Sequence, residues 1–408
     1  MKRILRKVAS IFVATTMVAV LGISAMAAES TELPAEGVTG DKNPATALET
    51  TLVIQKDLVV YNPSEREVYG PGVTYSYTIA PGTAEKQITD ADGIKALTKA
   101  GVGSPSITST ISYPNDVKVA ASATGASNLK AITISFDGVT FTGAGVYRYV
   151  VTETCSNKAA CAVVGEEETT TIRYLDVYVR DPEGTETGYQ IYGYVLFAYD
   201  EDIDGSNPGN LEDVVKTQGF VDTTVGSATL EADSYYTYNL EVSKTLVNDA
   251  ANDSNAFPFT LAFTKPTGVT ADFNLIADTD PLAMDASVQK GFANGDSVKY
   301  IGIPCGTTVA ITEQNNVAAK IYYVNTTGAD SDELVDFMLE PNAVTDAVSV
   351  TTATGETGLV DKTVAFTNTY VLISPTGVAL AILPFVILFT FGVGFLVAGT
   401  AKRKEDEA

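Results

Sequence analysis

From Thr50 onward the chain repeats one texture: short runs in which apolar, aromatic or β-branched residues alternate with polar ones, broken by Gly, Asn, Asp or Pro. Leu52–Ile54, Val73–Ile79, Ala131–Phe136, Val146–Val151 and Leu175–Val179 all read this way. A period of two marks a strand with one buried face. Only short stretches such as Ala91–Ala100 read as helical. The pattern then starts again at Tyr236–Thr245, continues through Phe257–Phe263 and closes at Thr363–Tyr370. Many short strands at such spacing predict an all-β chain of two tandem Ig-like β-sandwich domains, 50–236 and 237–371. Residues 29–49, polar with Pro and Gly, read as a flexible lead into the first of them.

Charge and composition remove several function classes. Fifty Asp and Glu against 26 Lys and Arg give a net charge of −24, which opposes nucleic-acid binding and suits a solvated extracellular surface. The chain has no histidine, which removes Ser-His-Asp and Cys-His catalysis and most zinc sites. No cofactor is expected, and without Trp there are no Trp platforms for carbohydrate. Three cysteines cannot make a disulfide framework. Cys155 and Cys161 are close enough in sequence to close a small loop, leaving Cys305 as the odd thiol.

The two ends carry targeting signals. Lys2, Arg3, Arg6 and Lys7 precede an apolar run from Ile11 to about Ile23, and Ala25-Met26-Ala27 follows with small residues. That is the layout of a cleaved signal peptide over residues 1–28. Residues 372–408 hold Ile373-Ser374-Pro375-Thr376-Gly377, an apolar segment over 378–400 and a basic tail from Lys402 to Lys404. About 20 apolar residues match a bilayer core, and the basic residues keep the tail cytoplasmic. The Ser-Pro-Thr-Gly before the span resembles a sortase substrate, whose Thr376–Gly377 bond is cut and whose threonine is joined to an amine. The span is then a temporary anchor.

Each strand-rich block repeats a second layout: an early lysine in an apolar strand, a glutamate at the end of a later strand and an Asx near the close. In the first block these are Lys56, Glu153 and Asp233; in the second, Lys244, Glu313 and Asn368. The first and last strands of a sandwich are often neighbours, which brings lysine and Asx together. Burial disfavours the ammonium and favours a protonated carboxyl. A neutral amine can then attack the Asx side chain while the glutamic acid shuttles the proton to the leaving group. The product is an isopeptide bond, with loss of ammonia from Asn or water from Asp. The plainer alternative is that each lysine snorkels and each glutamate is exposed at a strand end.

At this point the residues resemble a family. Residues 71–82 (PGVTYSYTIAPG), 145–153 (GVYRYVVTE), YTYNLEVSKT with PFTLAF after it, and Phe366-Thr367-Asn368-Thr369-Tyr370 are similar to the isopeptide-linkage domains, of CnaB type, of Gram-positive backbone pilins. The resemblance covers roughly residues 48–377. It implies a Lys244–Asn368 bond assisted by Glu313, and a bond from Lys56 to an Asx of its own domain assisted by Glu153. The first domain lacks Phe-x-Asn-x-Tyr, so Asp233 and Asp222 both stand as its partner, with the DSYYTYNL match favouring Asp233. Ser374-Pro375 replaces the common Leu-Pro, as in signals read by pilus-specific sortases. The cysteines lie outside the family pattern.

The resemblance further implies a structural subunit of a cell-surface pilus, linked from Thr376 to a lysine of an identical neighbour in a head-to-tail fibre. Sortase and minor or tip pilins are its partners, and peptidoglycan is reached indirectly. Lys216 (KTQGF) fits the linking lysine, with Lys158 and Lys130 as alternatives. A monomeric wall-anchored adhesin or stalk is the rival reading. No metal site is expected. The nearest candidate is Asp200, Asp202 and Asp204, which have calcium-loop spacing but a Leu where the bidentate Glu belongs, so an acidic turn is the simpler reading.

Overall fold

The computed structural model describes residues 30–40, 47–84, 98–165, 170–182, 187–199, 214–225, 228–252, 254–284, 287–318, 320–328 and 336–371. The segments expected to be a signal peptide (1–28) and a sorting signal (Ile373–Gly377 with the apolar run after it), and Asp200, Asp202 and Asp204, lie outside these residues. The fold is all-β, and among the described residues no helix is long and apolar enough to cross a membrane.

Alternation produces the strands. Thr51–Lys56 buries every second residue, so Leu52, Ile54 and Lys56 face inward. It pairs antiparallel with Lys130–Ser135 and parallel with Gly219–Phe220. The facing sheet runs Val214–Lys216, Gln190–Tyr199, Thr170–Arg180, Gly145–Thr154, Val73–Pro81, Thr110–Tyr113. Aromatic rings join the layers, Phe136 meeting Tyr149 edge-on at 5.1 Å. The second sandwich packs Phe257–Thr264, paired with Val288–Phe292 and Thr308–Glu313, against the sheet holding Asp361–Tyr370. Phe259 meets Phe366 edge-on at 4.9 Å between them.

One strand serves both sandwiches. In Asp233–Val247, residues Asp233 to Tyr236 pair parallel with Leu58 to Tyr61. From Thr237 onward the partner is Ser297–Pro304, and from Asn239 also Asp361–Tyr370. The chain therefore crosses between sandwiches inside a strand, with no linker. Buried Asn62 and Asn239 exchange amide hydrogen bonds at 3.0 and 3.1 Å across the junction, and Tyr61 stacks on Tyr236 at 4.5 Å.

Two expectations are corrected. Thr98–Ala100 is a strand paired parallel with Val146 to Arg148, not the end of a helix; residues 91–97 lie outside the described set. Cys155, Cys161 and Cys305 are free, buried thiols. The loop from Cys155 to Cys161 is closed by backbone bonds instead, Cys161 N–H donating to Asn157 O at 3.0 Å and Val163 N–H to Lys158 O at 3.0 Å. Burial pushes the Cys161 thiol up to about 11 and Cys305 to about 12, so neither is a ready nucleophile.

Candidate functional site

The second sandwich brings Lys244, Glu313 and Asn368 together with almost no solvent. Their exposures are 1%, 0% and 0%. Lys244 and Asn368 lie on adjacent parallel strands, Asn368 in register with Leu246, two residues past the lysine. Period-two geometry then puts both side chains on the same inner face. Glu313 reaches them from the opposite sheet. Its Oε1 accepts from Lys244 Nζ at 2.7 Å and from Asn368 Nδ2 at 2.5 Å. Glu313 Oε2 and Asn368 Oδ1 are buried without a hydrogen-bond partner. An orphaned buried acceptor costs about 1–3 kcal/mol, which the surrounding packed core offsets.

Burial governs the protonation states. It lowers Lys244 to about 8 against the opposing pull of Glu313. It raises Glu313, with Lys244 and Asn368 resisting. The Phe257 and Phe259 rings, 4.7 and 5.8 Å from Lys244 Nζ, supply the apolar surroundings. Burial thus favours the neutral amine and the protonated carboxyl, the two forms the condensation needs.

The first sandwich repeats the arrangement. Lys56 Nζ lies 3.0 Å from Glu153 Oε1 and 3.0 Å from Asp233 Oδ2, with exposures of 2%, 3% and 4% for the three residues. Asp233 is in parallel register with Leu58, again two residues past the lysine. The Asx therefore holds one register position in both sites, opposite a leucine in each. Glu153 faces them from Gly145–Thr154, in register with Tyr77, as Glu313 is with Phe259. Tyr75 and Tyr77 stand where the second site has Phe257 and Phe259: Lys56 Nζ sits 3.9 Å over the Tyr75 ring, and Tyr77 donates to Glu153 Oε2 at 2.6 Å.

Asp222, the alternative partner, is exposed and accepts from Ala232 N–H at 2.6 Å; the structure brings Asp233, not Asp222, to Lys56. Burial pushes the Asp233 carboxyl up, but the Lys56 and Lys158 ammonium groups outweigh it and hold it below the ordinary range. Lys158 Nζ is 3.0 Å from Asp233 Oδ1, its side chain 13% exposed. Sequence reasoning gave Lys158 a different part and missed this contact, because the loop that folds it back is not readable from alternation. The paired Tyr-x-Tyr and Phe-x-Phe were a usable signal for the residues lining each lysine.

The three linking-lysine candidates differ in access. Lys216 is exposed on the short strand Val214–Lys216, which pairs with Phe197 to Tyr199. Lys130 is partly buried, donates to Ser112 O at 2.6 Å and is lowered by burial. Lys158 is engaged with Asp233.

No family profile matches the chain. A curated protein described as a pilin, from Streptococcus pyogenes serotype M1, is 25% identical over 337 residues, 79% of this chain and 83% of that protein. This chain is similar to a Gram-positive pilin. Among solved structures, the S. pyogenes major pilin T3.2 is 19% identical over 82% of this chain and 99% of that one, with a TM-score of 0.39. Another S. pyogenes major pilin is 20% identical over 79% and 98%, with a TM-score of 0.38. A Mobiluncus mulieris adhesin described as containing disulfide, isopeptide and ester cross-links is 14% identical over 82% and 96%, with a TM-score of 0.22.

Proposed function

We propose that this chain is a backbone pilin subunit in which each sandwich seals itself with one Lys–Asx isopeptide bond and a sortase joins the subunits end to end. The observation that carries the reading is the doubled triad, with lysine, glutamate and Asx buried together at the same register in both sandwiches. Lys and Glu are seldom fully buried, and two such clusters at one register are poorly explained as accidents of packing.

In the second site the Lys244 amine, its proton passed to Glu313, attacks Cγ of Asn368. Glu313 gives that proton to the departing nitrogen and takes a second from the new C–N nitrogen, and ammonia leaves as the amide forms. In the first site Lys56 attacks Cγ of Asp233 and water leaves. Both are single-turnover steps that need no cofactor. The sortase exchanges the Thr376–Gly377 peptide bond for an amide between Thr376 and a lysine of the next subunit. Exposed Lys216 suits that role better than Lys130 or Lys158. The finished fibre stands on the cell surface, with minor or tip pilins added and peptidoglycan as its indirect anchor.

Intact mass of the ectodomain, residues 29–372 under reducing conditions, tests the bonds. The expected result is the loss of one ammonia plus one water, and an unchanged mass overturns the cross-links. Boiling-resistant ladders on the cell surface that vanish with Lys216→Ala test the polymer. Monomer alone in the wild type supports a wall-anchored stalk instead.

A further inference from the structure

The two sites differ in one group. Asn368 Oδ1 has no hydrogen-bond partner, whereas Asp233 Oδ1 faces a second lysine, Lys158, at 3.0 Å. The loop bearing Lys158 is built onto Asp233. It leaves Gly145–Thr154 one residue past Glu153, turns through the 3-10 segment Ala159–Cys161 and returns as Val163–Val164, which pair with Tyr235 and Ser234. Next comes Gly165, where an added Cβ would lie 1.7 Å from Asp233 Oδ1 and 3.4 Å from Lys158 Nζ. Only glycine leaves room for this ion pair.

The chemistry explains why the aspartate site needs a cation that the asparagine site does not. A carboxamide is neutral before attack, while a carboxylate carries charge that weakens it as an electrophile. At rest that charge is shared by two oxygens, Oδ2 facing Lys56 and Oδ1 facing Lys158. We propose that Lys158 is a catalytic residue of the first site, holding the negative charge that collects on Asp233 Oδ1 while Lys56 attacks Cγ. The proposal rests on the reading that Lys56 and Asp233 condense.

The step balances. Lys56 passes one ammonium proton to Glu153, 3.0 Å away, and its neutral amine adds to Cγ. Oδ2 receives the Glu153 proton and a second from the new C–N nitrogen, and departs as water. Oδ1, which carried the full charge in the tetrahedral intermediate, becomes the amide oxygen. Because that charge is larger on Oδ1 in the intermediate than at rest, the Lys158 contact strengthens along the reaction, which is the condition for acceleration. A cavity of about 10 Å3 bordered by Lys56, Glu153, Arg173, Phe220 and Asp233 has room for about one water. Among the described residues Asp233 is the one carboxylate within ion-pair distance of Lys158, whereas Lys56 has Glu153 beside it as well.

Time-resolved cell-free synthesis of the full chain, quenched in denaturant and read by intact mass and peptide mapping, tests the role. Lys158→Met is expected to slow water loss about a hundredfold, the scale for deleting one oxyanion donor. Lys158→Arg keeps the charge and retains most of the rate. With Asp233→Asn as the background, Lys158→Met has a much smaller effect, because the electrophile is then neutral. Ammonia loss from Lys244–Asn368 in the same molecules reports folding of the second sandwich, and retained water loss in Lys158→Arg reports folding of the first. Water loss at the wild-type rate in Lys158→Met overturns the proposal, as does a mapped Lys158–Asp233 bond. A wild-type chain that never loses water overturns the cross-link reading of this site itself, and the role of Lys158 with it.

Discussion

Tyr77 donates its hydroxyl to Glu153 Oε2 at 2.6 Å. Phe259 occupies the matching register opposite Glu313, and Glu313 Oε2 is left without a partner. One oxygen atom therefore separates a satisfied proton carrier from an unsatisfied one. Tyr77→Phe removes that atom with little change of volume and strands Glu153 Oε2 in the core. A hydrogen bond to a charged group is worth about 1.5–3 kcal/mol, and the variant is expected to lose that much stability. Urea midpoints of the two proteins check it; a change confined to a few tenths of a kcal/mol contradicts the contact's importance.

Glu313→Gln keeps the shape of the second site but removes its proton carrier. Lys244 and Asn368 then remain unjoined, and no ammonia is lost. The link would otherwise close a loop of over a hundred residues, from Lys244 to Asn368. Chain-entropy arguments for such a loop give about 4.7 kcal/mol. For a sandwich of this size that corresponds to a fall of roughly 10–20 °C in melting temperature. Calorimetry on variant and wild type reads it directly, with equal melting temperatures counting against a bond.

The triads were legible because they obey simple rules. An inward lysine in Thr51–Lys56 or Asp233–Val247 breaks an otherwise apolar face, and period two says which face that is. What alternation cannot encode is which strand lies beside which. The parallel pairing that sets Asp233 against Leu58 and Asn368 against Leu246 joins segments far apart in sequence. Nor does it encode loops: Lys158 read as an alternative linking lysine, yet its loop folds back onto Asp233. The strand Thr98–Ala100 read as helix because its short run, TKA, has helix-forming residues. Pairing with Val146 to Arg148 overrides that propensity.

The second site also predicts a pH dependence. Asn368→Ala leaves Lys244 and Glu313 in place without a bond between lysine and Asx. Burial lowers Lys244 from 10.5 to about 8 in the folded chain. Between these values the unfolded lysine holds a proton that the folded one does not, so stability rises with pH across that window. The same penalty is largest below about 8, where the folded lysine must also be charged. Replacing Lys244 by Met in the Asn368→Ala background removes this contribution. The difference in unfolding free energy between the two variants, read from urea melts, should therefore shift in favour of the lysine form by a few kcal/mol as pH rises from about 8 to 10.5. A difference that is flat across the window contradicts a depressed lysine.

Force should separate the two cross-links. If tension enters at Lys216, it passes along Asp233–Val247 into the second sandwich and leaves through the end of Asp361–Tyr370. These strands are parallel neighbours, so they are pulled at opposite ends. A Lys244–Asn368 bond carries the load from one strand to the other, and everything between residues 245 and 367 is bypassed. Without it, that segment is free to pay out on the order of 400 Å of extended chain. Lys56 and Asp233 are joined off this path, because load from Lys216 reaches Asp233 without crossing Lys56. Single-molecule pulling between Lys216 and the C-terminus should show a long extension for Asn368→Ala and none for the wild type. Lys56→Ala should chiefly melt at lower temperature. Equal extension in the two variants would sink this load path.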